Sequence, residues 1–184
     1  MRTRFSGVGQ TWVSGSSARH DQQGDNTMSL SNEVLSRGEN ALFQLDNSKG
    51  FAFDSHSSRI FHIDDDGLFT LIDHDRDVYD LLDNDDVASD LSKTDNISIG
   101  VLTYGWAAPI IDGEEPNDTP PSQHPDKKRV RVLITACEHG KFVTFLRFEQ
   151  DPDTVELQTG GEGSMADAIQ QLINKIQTKK AGNK

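Results

Sequence analysis

The chain has 184 residues, 34% hydrophobic and 26% charged, with 18 basic and 30 acidic side chains for a net charge of −12. That length suits one domain with tails, and the single cysteine, Cys137, excludes a disulfide framework and any cysteine-rich zinc site. The acidity is local: residues 51–118 carry 3 basic and 17 acidic side chains, a net −14, against +2 over residues 119–184. A field of that sign repels phosphate backbones and anionic lipid, which leaves a basic protein partner, a metal cation or solubility alone as its use.

Residues 1–28 hold basic side chains but no apolar core, so they do not read as a signal peptide. They are rich in Ser, Gly and Gln without periodicity and are expected to form a disordered tail, with Met28 the more natural protein start. A single domain is expected over 29–178, followed by a short basic tail at 179–184. Residues 31–37 predict a short helix with Val34 and Leu35 as its apolar side, ended by Gly38. "ALFQLDNSKGFAFDS" then predicts a hairpin turning at Asp-Asn-Ser-Lys-Gly.

"RIFHIDDDGLFTLIDHD" predicts a second hairpin. A three-residue loop ending in Gly67 pairs Ile63 with Phe69 and Phe61 with Leu71, leaving His62 and Thr70 on the other face. "RDVYDLLDNDDVASDLS" predicts one amphipathic helix, and "NISIGVLTY" a strand. "RVRVLITACEHGKFVTFLRFE" is the strongest hairpin. A His139-Gly140 turn pairs Ala136 with Val143, Ile134 with Phe145 and Val132 with Arg147. Both of its faces are mostly apolar, so it belongs in the centre, covered on both sides. "TVELQT" adds an edge strand, and "SMADAIQQLINKIQTKK" closes the chain as an amphipathic helix with Met165, Ile169, Leu172 and Ile176 on one stripe. The order of elements predicts an α+β fold: a mainly antiparallel sheet built from hairpins, with a mid-chain helix and a C-terminal amphipathic helix. No run approaches the ~18 apolar residues of a membrane span.

Three local patterns point to chemistry and fall short of it. Gly161-x-Gly163-x-x-Ala166 has the outline of a dinucleotide fingerprint, but no strand follows the helix it opens, and Glu162 puts a carboxylate where phosphate should lie. Asp73, Asp75 and Asp77 have calcium-loop spacing, but Val78 and Asn84 stand where an EF-hand needs Gly and Glu. Cys137 and His139 lie two apart on a strand, yet His139 belongs to the turn and Cys137 reads as a small core residue. No metal site and no cofactor is expected.

The stretch from Tyr104 to Arg129 predicts a connection of about 24 residues, longer than structureless loops in compact domains usually are. Its apolar start, "GWAAPII", should pack down; an acidic centre follows, then a stiff, polyproline-like "PPSQHP" and the basic cluster Lys127, Lys128, Arg129 and Arg131. Either this is a surface loop with one packed tryptophan, or it rims a binding site with Trp106 as apolar area and His124, Arg129 and Arg131 as polar handles. "GWAAP", the acidic linker, "PPSQHPDKKRVRV", "LRFE" and "ADAIQQL" together resemble a group of uncharacterised actinobacterial proteins. The resemblance covers Ile97 to Leu172 and implies a cytoplasmic bacterial protein, with no activity to transfer to any residue.

The function expected is that of a non-catalytic cytoplasmic binding or regulatory protein that uses the 104–131 loop to contact another protein, with nucleic acid and membrane excluded. Two alternatives stand beside it: a small enzyme with His124 as acid/base and Arg129 or Arg131 holding an anion, and an acidic divalent-cation-binding protein. Oligomeric state is open.

Overall fold

The computed structural model describes residues 2–7, 10–13, 30–53, 57–110, 120–137, 140–161 and 163–182. Strands β1 (Arg2–Gly7) and β2 (Gln10–Val13) form an antiparallel pair inside the stretch expected to be a disordered tail. For those residues the expectation of disorder gives way to pairing, because a long sheet edge further along the chain is available to them.

Helix α1 (Asn32–Ser48) runs unbroken through the segment expected to hold a short helix and a hairpin. Ser31 caps it by accepting the Val34 amide at 3.3 Å. Gly38 does not end it. This glycine marks a close approach, since a Cβ there would collide with the Phe69 ring and lie 2.9 Å from the Gly67 carbonyl oxygen. The buried stripe of α1 is Leu35, Glu39, Leu42, Phe43 and Asp46, a spacing that keeps all five on one face.

β3 (Ser58–Ile63) and β4 (Phe69–Arg76) pair as expected, with Phe61 opposite Leu71 and Ile63 opposite Phe69. Gly67 takes φ +80°, and the Asp64 carboxylate closes the loop by accepting the Asp66 and Leu68 amides. The single helix expected next is two: α2 (Val78–Asp83) and α3 (Asp85–Leu91). Asn84 breaks it. Its extended backbone ends α2, and its side chain caps α3 by accepting the Asp86 amide at 2.8 Å.

β5 (Ser98–Ile110) continues six residues past Tyr104, so "GWAAPI" is strand and not the start of a loop. Alternation explains this: Leu102, Tyr104 and Ala108 are buried on one face and Val101 and Ala107 on the other. One edge of β5 pairs with β6 (Lys128–Cys137) from Ser98 to Ala107. The opposite edge is shared, β3 taking Ile99 to Leu102 and β1 taking Trp106 to Ile110. The prolines before β6 do not form a continuous polyproline helix; Pro121–Gln123 closes a 3-10 turn.

β7 (Phe142–Phe148) pairs with β6 antiparallel, as expected, but one residue out of the expected register. Ala136 faces Phe142, Leu133 faces Phe145 and Arg131 faces Arg147. The cause is the turn. Gly140 has φ +70°, its amide bonds back to the Cys137 carbonyl, and Cys137 N–H bonds to Lys141 O, so the loop has three residues and not two. His139 itself lies outside the described residues. β8 (Asp151–Thr159) adds the expected outer strand, and α4 (Ser164–Gly182) carries Lys179 and Lys180 in its last turn, as the helix pattern predicts, and runs on into the stretch expected to be a basic tail.

All pairings are antiparallel, and the main path through the sheet is β2-β1-β5-β6-β7-β8, with β3 and β4 branching from β5. The fold is α+β. On one face, α2, α3 and α4 pack a large apolar core on Ile60, Ile99, Val101, Val130, Val132, Ile134 and Leu146. On the other, α1 packs a smaller cluster on Phe61, Ile63, Leu102, Leu133 and Phe145. No helix among the described residues is long and apolar enough to cross a membrane.

Candidate functional site

The observed register brings three arginines under α1. Arg131 on β6 lies directly opposite Tyr104 on β5 and Arg147 on β7, and Arg59 on β3, opposite Leu102, adds a third guanidinium diagonally across β5. Like charges facing each other across strands repel, and α1 resolves this by inserting carboxylates. Glu39 takes Arg147 in a bidentate fork, Nε at 3.0 Å to Oε1 and Nη2 at 2.7 Å to Oε2, and accepts Arg131 Nη1 at 2.8 Å. Asp46, two helical turns on, accepts Arg131 Nη2 at 3.0 Å and Arg59 through both oxygens at 2.8 and 2.5 Å. Asn40, the Pro152 carbonyl and the Tyr104 hydroxyl take further guanidinium protons, and the Phe43 ring lies 4.1 Å from Arg147 and 5.6 Å from Arg131.

Four of the five charged groups, Glu39, Asp46, Arg131 and Arg147, have side chains no more than 2% exposed; Arg59, at 16%, is the member nearest solvent. Burial alone would lower the Arg59 pKa, but hydrogen bonds and charge from Asp46 and Tyr104 outweigh it and hold the group above its ordinary value. Chemically this is a closed ionic seam between helix and sheet. Most of its donors and acceptors are turned on one another, while Arg59 Nε and Arg131 Nε are buried without a hydrogen-bond partner; the seam holds α1 in place and presents no reactive group.

Of the residues expected to form a binding rim, Arg131 is therefore diverted into the seam. Trp106 and Arg129 do come together: they are register partners, and the guanidinium carbon lies 5.3 Å from the indole centroid. Lys127 Nζ lies 4.8 Å from the same ring, so a half-buried tryptophan is flanked by two cations. Arg129 also donates through Nε and Nη2 to the Phe53 carbonyl at 3.3 and 3.2 Å. One strand position earlier and on the opposite face, Lys128 Nζ lies 5.9 Å from the Phe148 ring. His124 follows the 3-10 turn, half-buried, and its Nδ1 accepts the Asp126 amide at 3.1 Å. Among the described residues no hydrogen bond or ion pair joins His124 to an arginine or carboxylate side chain.

The acidic stretches are largely committed to local structure. Asp64 closes the hairpin loop, Asp65 accepts from Asn96 at 2.5 Å, Asp77 caps α2, and Asp73 and Asp75 pair with Arg76 and His74. An open depression of about 630 Å³ runs past Asp75, Asp77, Asp80, Asp83 and Asp86, but among the described residues no three metal-binding side chains converge. Gly161 and Gly163 also have local causes. A Cβ on Gly161 would press on Phe142 and Ala166 at 3.2–3.3 Å, and Gly163 has φ +95°.

Sequence reasoning missed the seam. One signal for it was present: Arg131 and Arg147 sit in strands read as covered on both faces, and arginine is almost never fully buried without a carboxylate. No family model matches the chain, and no curated protein or solved structure matches it either.

Proposed function

We propose that the chain is a non-catalytic binding or regulatory protein of the bacterial cytoplasm, and that it meets another protein through the surface around Trp106. One observation carries the reading. Arg59, Arg131 and Arg147 each have a carboxylate partner, whereas Lys127, Lys128 and Arg129 have none among the described residues and lie against aromatic rings instead. Aromatic side chains beside arginine and lysine make good contact sites, because they offer apolar area and charge-assisted donors within one patch. The resemblance of Ile97 to Leu172 to actinobacterial proteins supports the setting and brings no activity with it.

An enzyme using His124 as acid/base needs an arginine and a carboxylate beside the imidazole. The ring nitrogen instead accepts a turn amide, so binding is the better-supported function. The test is affinity purification of the tagged full chain from its own cells, as wild type, Trp106→Ala and Lys93→Glu. Lys93 lies beyond the opposite end of β5. A protein recovered with wild type and Lys93→Glu but lost with Trp106→Ala is the expected result; equal recovery with all three overturns the reading.

A further inference from the structure

We infer that what docks at this end of the sheet is a short acidic segment of another protein, a run of aspartate and glutamate side chains; this rests on the Trp106 surface being the contact. Lys127, Lys128 and Arg129 are consecutive, and the first two are exposed. Their donor capacity is only partly used. Lys127 Nζ gives one proton to the Ser122 carbonyl at 2.7 Å, Arg129 gives Nε and Nη2 to Phe53, and Lys128 has no hydrogen-bond partner among the described residues. Each ammonium or guanidinium lies over an aromatic ring, which restrains the cation without neutralising it, leaving its charge available to an anion.

Length and class of the partner follow from the surrounding charge. The patch belongs to a chain of net charge −12 whose residues 51–118 carry −14. Screening acts over about 8–10 Å at physiological salt, so a short run of carboxylates matches the three consecutive cations Lys127, Lys128 and Arg129. A nucleic acid strand, with a phosphate at every step, would extend beyond it and be repelled. Arg129 and Lys128 point to opposite faces of β6, toward Trp106 and Phe148 respectively. The segment therefore crosses the ends of the strands and does not lie flat on one face.

The test is fluorescence anisotropy on the full chain at physiological salt with three labelled probes: a tetrapeptide alternating Glu and Asp, its Gln/Asn counterpart, and a ten-residue oligothymidylate. The acidic peptide is expected to bind and the neutral one not. Lys127→Glu/Lys128→Glu should weaken binding by on the order of tenfold or more, and Trp106→Ala by about threefold. Lys93→Glu should leave it unchanged. Tighter binding of the oligothymidylate, or acidic-peptide binding that survives the double charge reversal, overturns the inference. If the acidic peptide fails while Trp106→Ala still loses a co-purifying protein, the partner chemistry is wrong and the surface stands. If neither depends on these residues, the surface itself is wrong.

Discussion

The two faces of the sheet are covered by different physics. Under α4 the contact is apolar throughout, with Ile169, Leu172, Ile173 and Ile176 fully buried against strands rich in valine and isoleucine. Under α1 part of the contact is apolar, through Leu35, Leu42 and Phe43, and the rest is the chain of guanidiniums and carboxylates from Arg147 to Arg59. An apolar contact loses stability in proportion to the area removed. An ionic one fails abruptly, because removing one member leaves its neighbours charged, buried and unpaired. The α4 face should therefore degrade gradually, and the α1 face should depend on its complete set of partners.

The largest effect is expected at Glu39. Glu39→Gln keeps the shape but leaves Asp46 as the only described carboxylate facing three guanidiniums, and should cost about 3–5 kcal/mol of unfolding free energy, read from the shift of a urea transition. The double variant Glu39→Leu/Arg147→Met removes both ends of the bidentate fork. It should recover most of that loss, since apolar side chains of similar volume often replace a buried ion pair at little cost. A loss below about 1 kcal/mol for Glu39→Gln would place the seam among ordinary surface pairs and erase the contrast between the faces.

Ile169→Ala probes the other face. It should cost about 2–5 kcal/mol, comparable in size but through a cavity. Because Ile169 and Glu39 share no contact and lie on opposite sides of the sheet, the two losses should add to within about 0.5 kcal/mol in the double variant. Coupling well beyond that would mean that the sheet transmits packing changes from one layer to the other, and the two faces would have to be treated as one unit.

The same contrast decided what could be read from the sequence. The α4 stripe and the Phe61–Leu71, Ile63–Phe69 pairing were plain because hydrophobic periodicity marks an apolar interface. α1 was hidden because its buried stripe contains Glu39 and Asp46, which a binary pattern assigns to solvent, and because Gly38 and Asp-Asn-Ser-Lys-Gly look like breakers. The β6–β7 register failed on loop length alone. Counting a two-residue turn at His139-Gly140 moved β7 by one position and so turned its side chains over, placing Arg147 opposite Val132 and concealing its pairing with Arg131. With both errors in place the seam could not be assembled, although every residue in it was visible. Of the residues read as a binding rim, Trp106 and Arg129 do lie side by side, but the strand that carries Trp106 was taken for loop, and Arg131 was assigned to the surface instead of the interior.

The smallest effect belongs to an ion pair that ties α4 to α2 from outside. Lys175 Nζ donates to the Asp83 carboxylate at 2.5 Å and to its carbonyl at 3.0 Å. The hydrogen bond and charge from Lys175 lower the Asp83 pKa, and donating that hydrogen bond to Asp83 raises the pKa of Lys175 against slight desolvation. A carboxylate whose folded pKa is depressed stabilises the fold above its unfolded value of about 4 and loses that contribution as pH falls through the folded value; a lysine whose pKa is raised stabilises below about 10.4 and loses it as pH rises through the folded value. The pair therefore acts only between those limits. It is exposed, so salt and side-chain entropy consume most of the attraction. Lys175→Met should lower Tm at pH 7 by about 1 °C or less, with the difference vanishing in about 1 M salt and at acid pH once the Asp83 carboxylate is protonated. A larger, salt-insensitive drop would show that the Lys175 stem contributes by packing, and that the edge of the apolar face also rests on contacts a charge count does not reveal.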